Sequence, residues 1–329
     1  MPELPEVETV RKGLESLIVG KTIKSVVHDN ERSFPNDPAI VSQFAINSDV
    51  SLVKRRAKVL LIELSTEYTL MTHLKMTGQL VFVADATKQA QNLKHEIRNK
   101  SKKEIDADFE FRASNLEFAE SDSIRFGAGH PNHSLVGNLP DKSTRVTIIF
   151  EDDSKLFFND QRKFGWMKLL PTALVAQEPF MVKLGPEPLE LEFTDQVFIS
   201  RVRRRANTSI KAAILDQTVL AGVGNIYADE SLWGAKIHPA TLVRNLSDKQ
   251  LSVLRREIIY VLRLSIEKGG STDRNYVNAE GKRGSYIDFA RVFRQENKPC
   301  PRCQTIIIKT RVAGRGTHIC LICQKHKNK

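Results

Sequence analysis

The chain begins MPELPEVE, and the residue types in that stretch suit covalent chemistry at an amine. A penultimate proline is small enough to permit removal of the initiator methionine, which leaves Pro2 with a free secondary amine at the positive end of the helix that follows. An α-amino group titrates near ~8 against ~10.4 for lysine, so far more of it is unprotonated at neutral pH. The helix dipole disfavours the ammonium further. Such an amine can attack a sugar C1′ and form an iminium, with Glu3 beside it to move protons. Taken alone, PELPEVE also reads as a proline-rich helix entry whose acids favour the dipole. A second set of reactive residues lies at the far end, where Cys300, Cys303, Cys320 and Cys323 form CPRC and CLIC with sixteen residues between the pairs. Two close thiolate pairs at this spacing predict one tetrahedral Zn2+. All four ligands are then protein sulfur, so the zinc is expected to be structural and not catalytic.

These residues need a scaffold, and the pattern of apolar residues suggests its parts. Val7, Val10, Leu14 and Leu17 recur at helical spacing, which predicts an amphipathic helix from about Pro5 to Ile18. KTIKSVVH, KVLLIEL, YTLMTHL, QLVFVA, RVTIIF and KLFF then follow as β-branched or aromatic runs, expected to form an antiparallel sandwich. Residues 85–138 are polar and charge-mixed, with strand cues only at DFEFRA and SIRFGAG, and read as an excursion from that sandwich. LGPEPLE, residues 184–190, resembles a hinge. Beyond it FTDQVFISRVRRR, SIKAAILDQ, NIYADESLW and SDKQLSVLRREIIYVLRLSIEKGG carry helical periodicity with Asp or Ser at N-caps. Within this part Gly222, Gly224 and Asn225 precede a helix, where a sharp turn lets backbone N–H groups face an anion. Between the cysteine pairs, two apolar runs around Gly-Arg-Gly predict a hairpin that presents Arg315. The fold class is therefore α+β, with domains expected at 1–183, 191–290 and 291–329.

Charge points to the partner. With 50 Lys+Arg against 39 Asp+Glu the chain carries +11, and residues 298–329 hold eight basic residues and no acid. A basic segment on a basic protein suits a polyanion, and nucleic acid leads. The N-terminus has neither a basic nor an apolar leader region, and no window approaches eighteen apolar residues. A cytoplasmic monomer with no membrane contact is the expectation, and thiols in that compartment persist as metal ligands.

In order along the chain, PELPEVE, RRAK at 55–58, HLKMTG at 73–78, RKFG at 162–165, LGPEPL at 184–189, GVGNIYADE at 222–230 and the four-cysteine finger resemble formamidopyrimidine-DNA glycosylases. PELPE, rather than the PEGPE of the endonuclease VIII branch, places the resemblance on the oxidised-purine side. The resemblance implies a β-sandwich and a helix-two-turn-helix domain with a zinc finger, gripping duplex DNA that contains oxidised bases or abasic sites. It implies excision of 8-oxoguanine and formamidopyrimidines followed by β,δ-elimination, with Pro2 as nucleophile, Glu3 as acid/base and Lys58 at the catalytic centre. Glu6 aligns with a further carboxylate, and Lys58, Lys211, Asn225 and Arg315 align with phosphate clamps. Extruding a base leaves a hole to be filled, and Met76, Arg162 and Phe164 match the residues that fill it. Without the resemblance, Met76 and Phe164 would read as core. The loop Tyr276–Tyr286 matches a lid over the extruded base.

The sequence departs from the family pattern in places. Lys75 stands where the family usually has Gly, Gln161 where it often has Pro, KSTR precedes Val146 in place of a histidine-bearing run, and FARVFRQENKPC replaces a tyrosine-glycine ending before the finger. Two other readings follow from the same residues: an endonuclease VIII-like glycosylase for oxidised pyrimidines, and a non-catalytic binder of damaged DNA. The wedge residues argue against the first, and intact Pro2 and Glu3 against the second.

Overall fold

The structure is a computed structural model, and it describes residues 2–85, 123–129, 133–135, 137–271 and 286–326. Helix α1 (Leu4–Ile18) opens the chain, with proline in its first turn and Leu4, Val7, Val10, Leu14 and Ile18 on one buried face. That face packs on both lobes of the molecule, against strands of the sandwich and against a long helix of the second lobe.

Eleven strands fall in chain order among the described residues: β1 (Ile23–His28), β2 (Val50–Arg56), β3 (Val59–Leu64), β4 (Tyr68–His73), β5 (Gly78–Asp85), β6 (Ser123–Gly129), β7 (Thr144–Phe150), β8 (Lys155–Asp160), β9 (Trp166–Pro171), β10 (Ile308–Val312) and β11 (Arg315–Ile319). A five-stranded sheet in the order β1-β7-β8-β5-β6 faces a four-stranded sheet in the order β2-β3-β4-β9, and neighbours pair antiparallel. The apolar residues of the two sheets and α1 meet in one core that includes Val10, Leu14, Leu60, Phe82, Phe126 and Phe158. SIRFGAG does not lie in an excursion: it is β6, an edge strand in register with residues 79–85 of β5. The DFEFRA cue and most of the rest of 85–138 lie outside the described residues.

The second lobe is helical. After a short helix in the first lobe, α2 (Pro38–Phe44), come α3 (Asp195–Arg203), α4 (Ile210–Leu215), α5 (Asn225–Gly234) and α6 (Asp248–Glu267). Ser209 and Ser247 cap α4 and α6 with their side-chain oxygens, as the sequence suggested, whereas α3 is capped by Thr194, with Asp195 inside its first turn. Phe198, Ile214, Tyr227, Leu232, Leu254 and Ile258 form its core. The stretch expected to be a hinge is pinned instead. Glu187 accepts from Arg55 Nη1 at 2.9 Å, Arg56 Nη1 at 2.8 Å and Ala57 N at 2.5 Å, while Arg56 Nη2 donates to Gly185 O at 2.6 Å. Burial works to raise the Glu187 carboxyl, but Arg55, Arg56 and the Ala57 N–H together hold it below the usual range. No helix among the described residues is long and apolar enough to cross a membrane.

Candidate active site

A cleft of about 840 Å³ opens where the two lobes and the finger meet, lined by Pro2, Glu3, Glu6, Lys58, Met76, Asn225 and Arg315 among others. Its floor is the N-terminus. Leu4 N donates to Gly222 O at 3.1 Å, which lays the first residues along the turn that precedes α5. Gly222 has φ of +82°, and a side chain there would strike Leu4. Gly224 serves a different purpose: a Cβ on it would sit 2.3 Å from Glu3 Cδ. The glycine turn therefore receives a carboxylate of the same chain, and Ile226 N, in the first turn of α5, donates to Glu3 Oε1 at 3.0 Å. Gln217 braces the turn by donating to Val223 O at 2.8 Å and accepting from Gly222 N at 2.9 Å.

Glu3 and Glu6 are both buried, yet their surroundings differ. Glu6 accepts from Glu3 N, from the Tyr227 hydroxyl and from both N and Oγ of Ser271, so it ties α1 to α5 and to the end of α6. Glu3 keeps one oxygen unengaged: Oε2 is buried and accepts no hydrogen bond from a described residue. Burial pushes the Glu3 carboxyl up to about 7, against the pull of Lys58 and with the help of Glu6. That value suits a group that must both give and take a proton near neutral pH. Lys58, itself buried, donates to Val223 O at 3.0 Å, and burial lowers its ammonium while the two carboxylates oppose that effect. His73 also lines the cleft. Burial, then Lys75 and Lys58, push it down to about 3, and its Nδ1 accepts from Lys75 N at 3.0 Å. The neutral ring thus carries its proton on Nε2.

At the finger, Cys300, Cys303, Cys320 and Cys323 place four sulfurs within 4.8 Å of one another. The cysteines are free. Separations of 3.4, 3.5 and 3.9 Å among them are far from the ~2.05 Å of a disulfide and near the roughly 3.8 Å edge of a tetrahedron with Zn–S of about 2.3 Å. The donor set fits zinc. Trp233 Nε1 donates to Cys300 Sγ at 3.4 Å, and the Arg302 guanidinium lies 3.9 Å over the Trp233 ring, so the metal site is fixed on α5. The hairpin β10–β11 turns at Ala313 and Gly314, both with positive φ, one residue earlier than the Gly-Arg-Gly centre. Arg315 follows, exposed and on the cleft.

Asn225 Nδ2 donates to Gly316 O at 3.0 Å, joining the glycine turn to this hairpin. Lys211 is fully buried, with its Nζ donating to Asp229 Oδ1 at 2.6 Å, Thr317 Oγ1 at 2.8 Å and Gly316 O at 3.0 Å. All three of its protons are engaged. Asp229 Oδ2 takes His318 N at 2.9 Å from the same hairpin.

On the sandwich side, Met76 and Phe164 are 39% and 55% exposed, where an isolated sequence pattern would have buried them. The Arg162 guanidinium lies 4.9 Å from the Phe164 ring centroid. Their loop is held by Asp160, which is buried and accepts from Thr77 Oγ1, from Arg162 N at 3.2 Å, from Phe164 N at 2.8 Å and from Gly165 N at 2.6 Å. One carboxylate thus ties together the two loops that carry Met76 and Phe164.

Residues 1–129 match the formamidopyrimidine-DNA glycosylase N-terminal domain, 184–276 the formamidopyrimidine-DNA glycosylase H2TH domain, and 297–325 the zinc finger found in FPG and IleRS. The formamidopyrimidine-DNA glycosylase of Ligilactobacillus salivarius is 35% identical over 328 residues, covering 100% of both chains. The chain belongs to the formamidopyrimidine-DNA glycosylase family. The Streptococcus pneumoniae glycosylase is 36% identical over 99% of each chain. Among solved structures, a Lactococcus lactis FPG mutant in complex with Fapy-dG-containing DNA superposes with a TM-score of 0.76 at 31% identity, covering 99% of this chain and 100% of that one. The MutM (FPG) protein of Thermus thermophilus gives 0.74 at 30% identity, with 99% and 100% covered.

Of the family residues expected from sequence, Pro2, Glu3, Glu6, Lys58, Asn225 and Arg315 converge on the cleft with Met76, whereas Arg162 and Phe164 stand off its lining and Lys211 is engaged inside the lobe. The expected lid, save Tyr286, lies outside the described residues. Sequence reasoning gave no role to Asp160, Gln217, Tyr227 or Ser271. Asp160 and Tyr227 carried a signal, since each sits inside or beside a motif that carries the family resemblance; Ser271 and Gln217 lie outside those motifs and carried none.

Proposed function

We propose that this glycosylase excises oxidised purines from duplex DNA and then cleaves the strand, using the amine of Pro2 as nucleophile. The observation that carries the reading is the Glu3 carboxylate: buried beside Pro2, raised to about 7, and with Oε2 free to exchange a proton. The Pro2 nitrogen attacks C1′ of the damaged nucleotide, and the C1′–N bond breaks with its electrons leaving on the base, which takes up the proton that the attacking amine gives up. The sugar ring opens as Glu3 delivers a proton to O4′, giving the iminium. Loss of a C2′ proton then expels the 3′ phosphate, and a second elimination expels the 5′ phosphate. Lys58 and Arg315 bring positive charge to the strand's phosphates, and Met76, Arg162 and Phe164 fill the space the base leaves. Zinc supplies no chemistry here; the four cysteines hold it to build the hairpin that carries Arg315. Such an enzyme works where the chromosome lies, in the cytoplasm.

Incubation with a duplex bearing 8-oxoguanine opposite cytosine, followed by a denaturing gel and borohydride trapping, tests the reading. Strand cleavage with a trapped complex on the native N-terminus is expected. Equal trapping by protein with an uncleaved N-terminal tag, in which the proline nitrogen is an amide, would show that Pro2 is not the nucleophile.

A further inference from the structure

Tyr227 lies in the first turn of α5, fully buried, with its ring centroid 5.5 Å from that of Tyr286. The chemistry proposed above gives its hydroxyl no task, and packing alone would be served as well by phenylalanine. Yet the hydroxyl is engaged on both sides: it donates to Glu6 Oε1 of α1 at 2.5 Å and lies 2.6 Å from Ser265 Oγ of α6. A phenol carries one proton. With that proton given to Glu6, the Tyr227 oxygen accepts from Ser265, so hydroxyls from two helices point in series at one carboxylate of a third. Burial, then Glu6 and Glu3, raise the phenol far above its usual range, which keeps the proton in place.

Glu6 Oε1 also accepts from N and Oγ of Ser271, each at 2.8 Å, while Oε2 accepts from Glu3 N at 2.8 Å. That last N–H belongs to the peptide plane that contains Cα of Pro2. With the plane held, the Pro2 nitrogen keeps only rotation about its own Cα–C bond, so its distance and angle to C1′ follow from where Oε2 stands. We infer that Tyr227 is a positioning residue for the Pro2 amine: its hydroxyl, with Ser271, locks Oε1 of Glu6, and the planar carboxylate thereby sets Oε2 and the peptide from which the nucleophile projects. The inference rests on the function proposed above.

Tyr227→Phe keeps the ring and removes only the hydroxyl. On a duplex with a preformed abasic site, at saturating enzyme and well below the melting temperature, borohydride trapping in single turnover reads the approach of the amine. The variant is expected to trap about 10-fold more slowly, within the roughly 10²-fold that a 1 Å misplacement can cost. Its half-saturating concentration, and its affinity for a duplex with a tetrahydrofuran analogue, should stay native. A double-variant cycle asks whether Tyr227 acts through Glu6. Glu6→Ala should slow trapping by itself, and adding Tyr227→Phe to it should cost less than about a further twofold, whereas independent effects multiply. A native trapping rate in Tyr227→Phe, a loss confined to DNA affinity, or losses that multiply in the double variant would overturn the inference. Native protein that traps no abasic DNA would instead overturn the proposed function, and the positioning role with it.

Discussion

At the scale of single residues the two acids of PELPEVE separate by what surrounds them. Glu6 spends both oxygens on Glu3 N, Tyr227 and Ser271, while Glu3 keeps Oε2 unpaired. Glu3→Gln should therefore lower single-turnover excision of 8-oxoguanine by about 10²- to 10⁴-fold yet retain much of the borohydride trapping on a preformed abasic site, where no base remains to be expelled. Excision at close to the native rate would reduce Glu3 to a helix-end acid. The same burial makes a stability prediction. The folded carboxyl titrates at about 7 against 4.5 for an unperturbed group, so the folded state holds the proton more tightly. That contribution is fully present below pH 4.5 and is lost as pH rises through 7, an effect of about 3 kcal/mol. Glu3→Gln has no such loss, and should melt several degrees above native at pH 8 with the gap closing below pH 4.5. A gap independent of pH would show that the burial does not act on this carboxyl. Sequence suggested Glu3 as the acid/base but could not show its setting, because Ile226 N and Gly224 reach it from more than 220 residues away.

At the scale of elements, the proposed wedge depends on how two sandwich loops are joined. The family pattern pointed to Met76, Arg162 and Phe164, whereas residue type alone would have buried two of them; their exposure is imposed by Asp160, whose carboxylate collects N–H groups from the loop after β8 and the Thr77 hydroxyl from the loop after β4. Charge-assisted bonds of this kind contribute about 1.5–3 kcal/mol each when buried. Asp160→Ala should therefore free the loop without emptying the core, and the readout that follows is base discrimination. We propose that Arg162 meets the base opposite the lesion, where a guanidinium pairs with cytosine acceptors better than with adenine. Native enzyme should excise 8-oxoguanine faster opposite cytosine than opposite adenine, and Asp160→Ala should flatten that ratio towards one. A variant that slows both substrates equally would mean Asp160 supports the fold and not the wedge. The strand cue at SIRFGAG shows the opposite limit of sequence reading: its alternation was visible, but its place as the partner of β5 depended on register with a strand whose chain continues through residues outside the described set.

At the scale of the whole molecule, the cleft exists only where two cores and a metal-dependent hairpin meet. The fold class and the cysteine site were legible because helical period, strand alternation and ligand spacing are local signals. The joints were not: Glu187 with Arg55 and Arg56, and Asp229 with Lys211 and His318, are contacts between segments far apart in sequence, which no local pattern reports. The second set makes the finger a wall of the cleft and not an appendage, and it yields the last prediction. Structural zinc supplies about 10–16 kcal/mol in short finger peptides, so a finger without metal is unfolded. Cys303→Ser, or exhaustive chelation, should release the single equivalent of zinc and with it the β10–β11 hairpin. Asn225 Nδ2 and Lys211 Nζ then lose Gly316 O as an acceptor, and Arg315 leaves the cleft. Affinity for a duplex with an abasic analogue should fall by at least about 10- to 100-fold, the worth of one charge-assisted contact, with a shallower salt slope. The sandwich and helical cores, which share no cluster with the cysteines, should keep their far-ultraviolet circular dichroism. Zinc-free protein that binds the duplex with native affinity and native salt slope would show that the hairpin stands without its metal, and that Arg315 is held by Asp229, Asn225 and Lys211 alone.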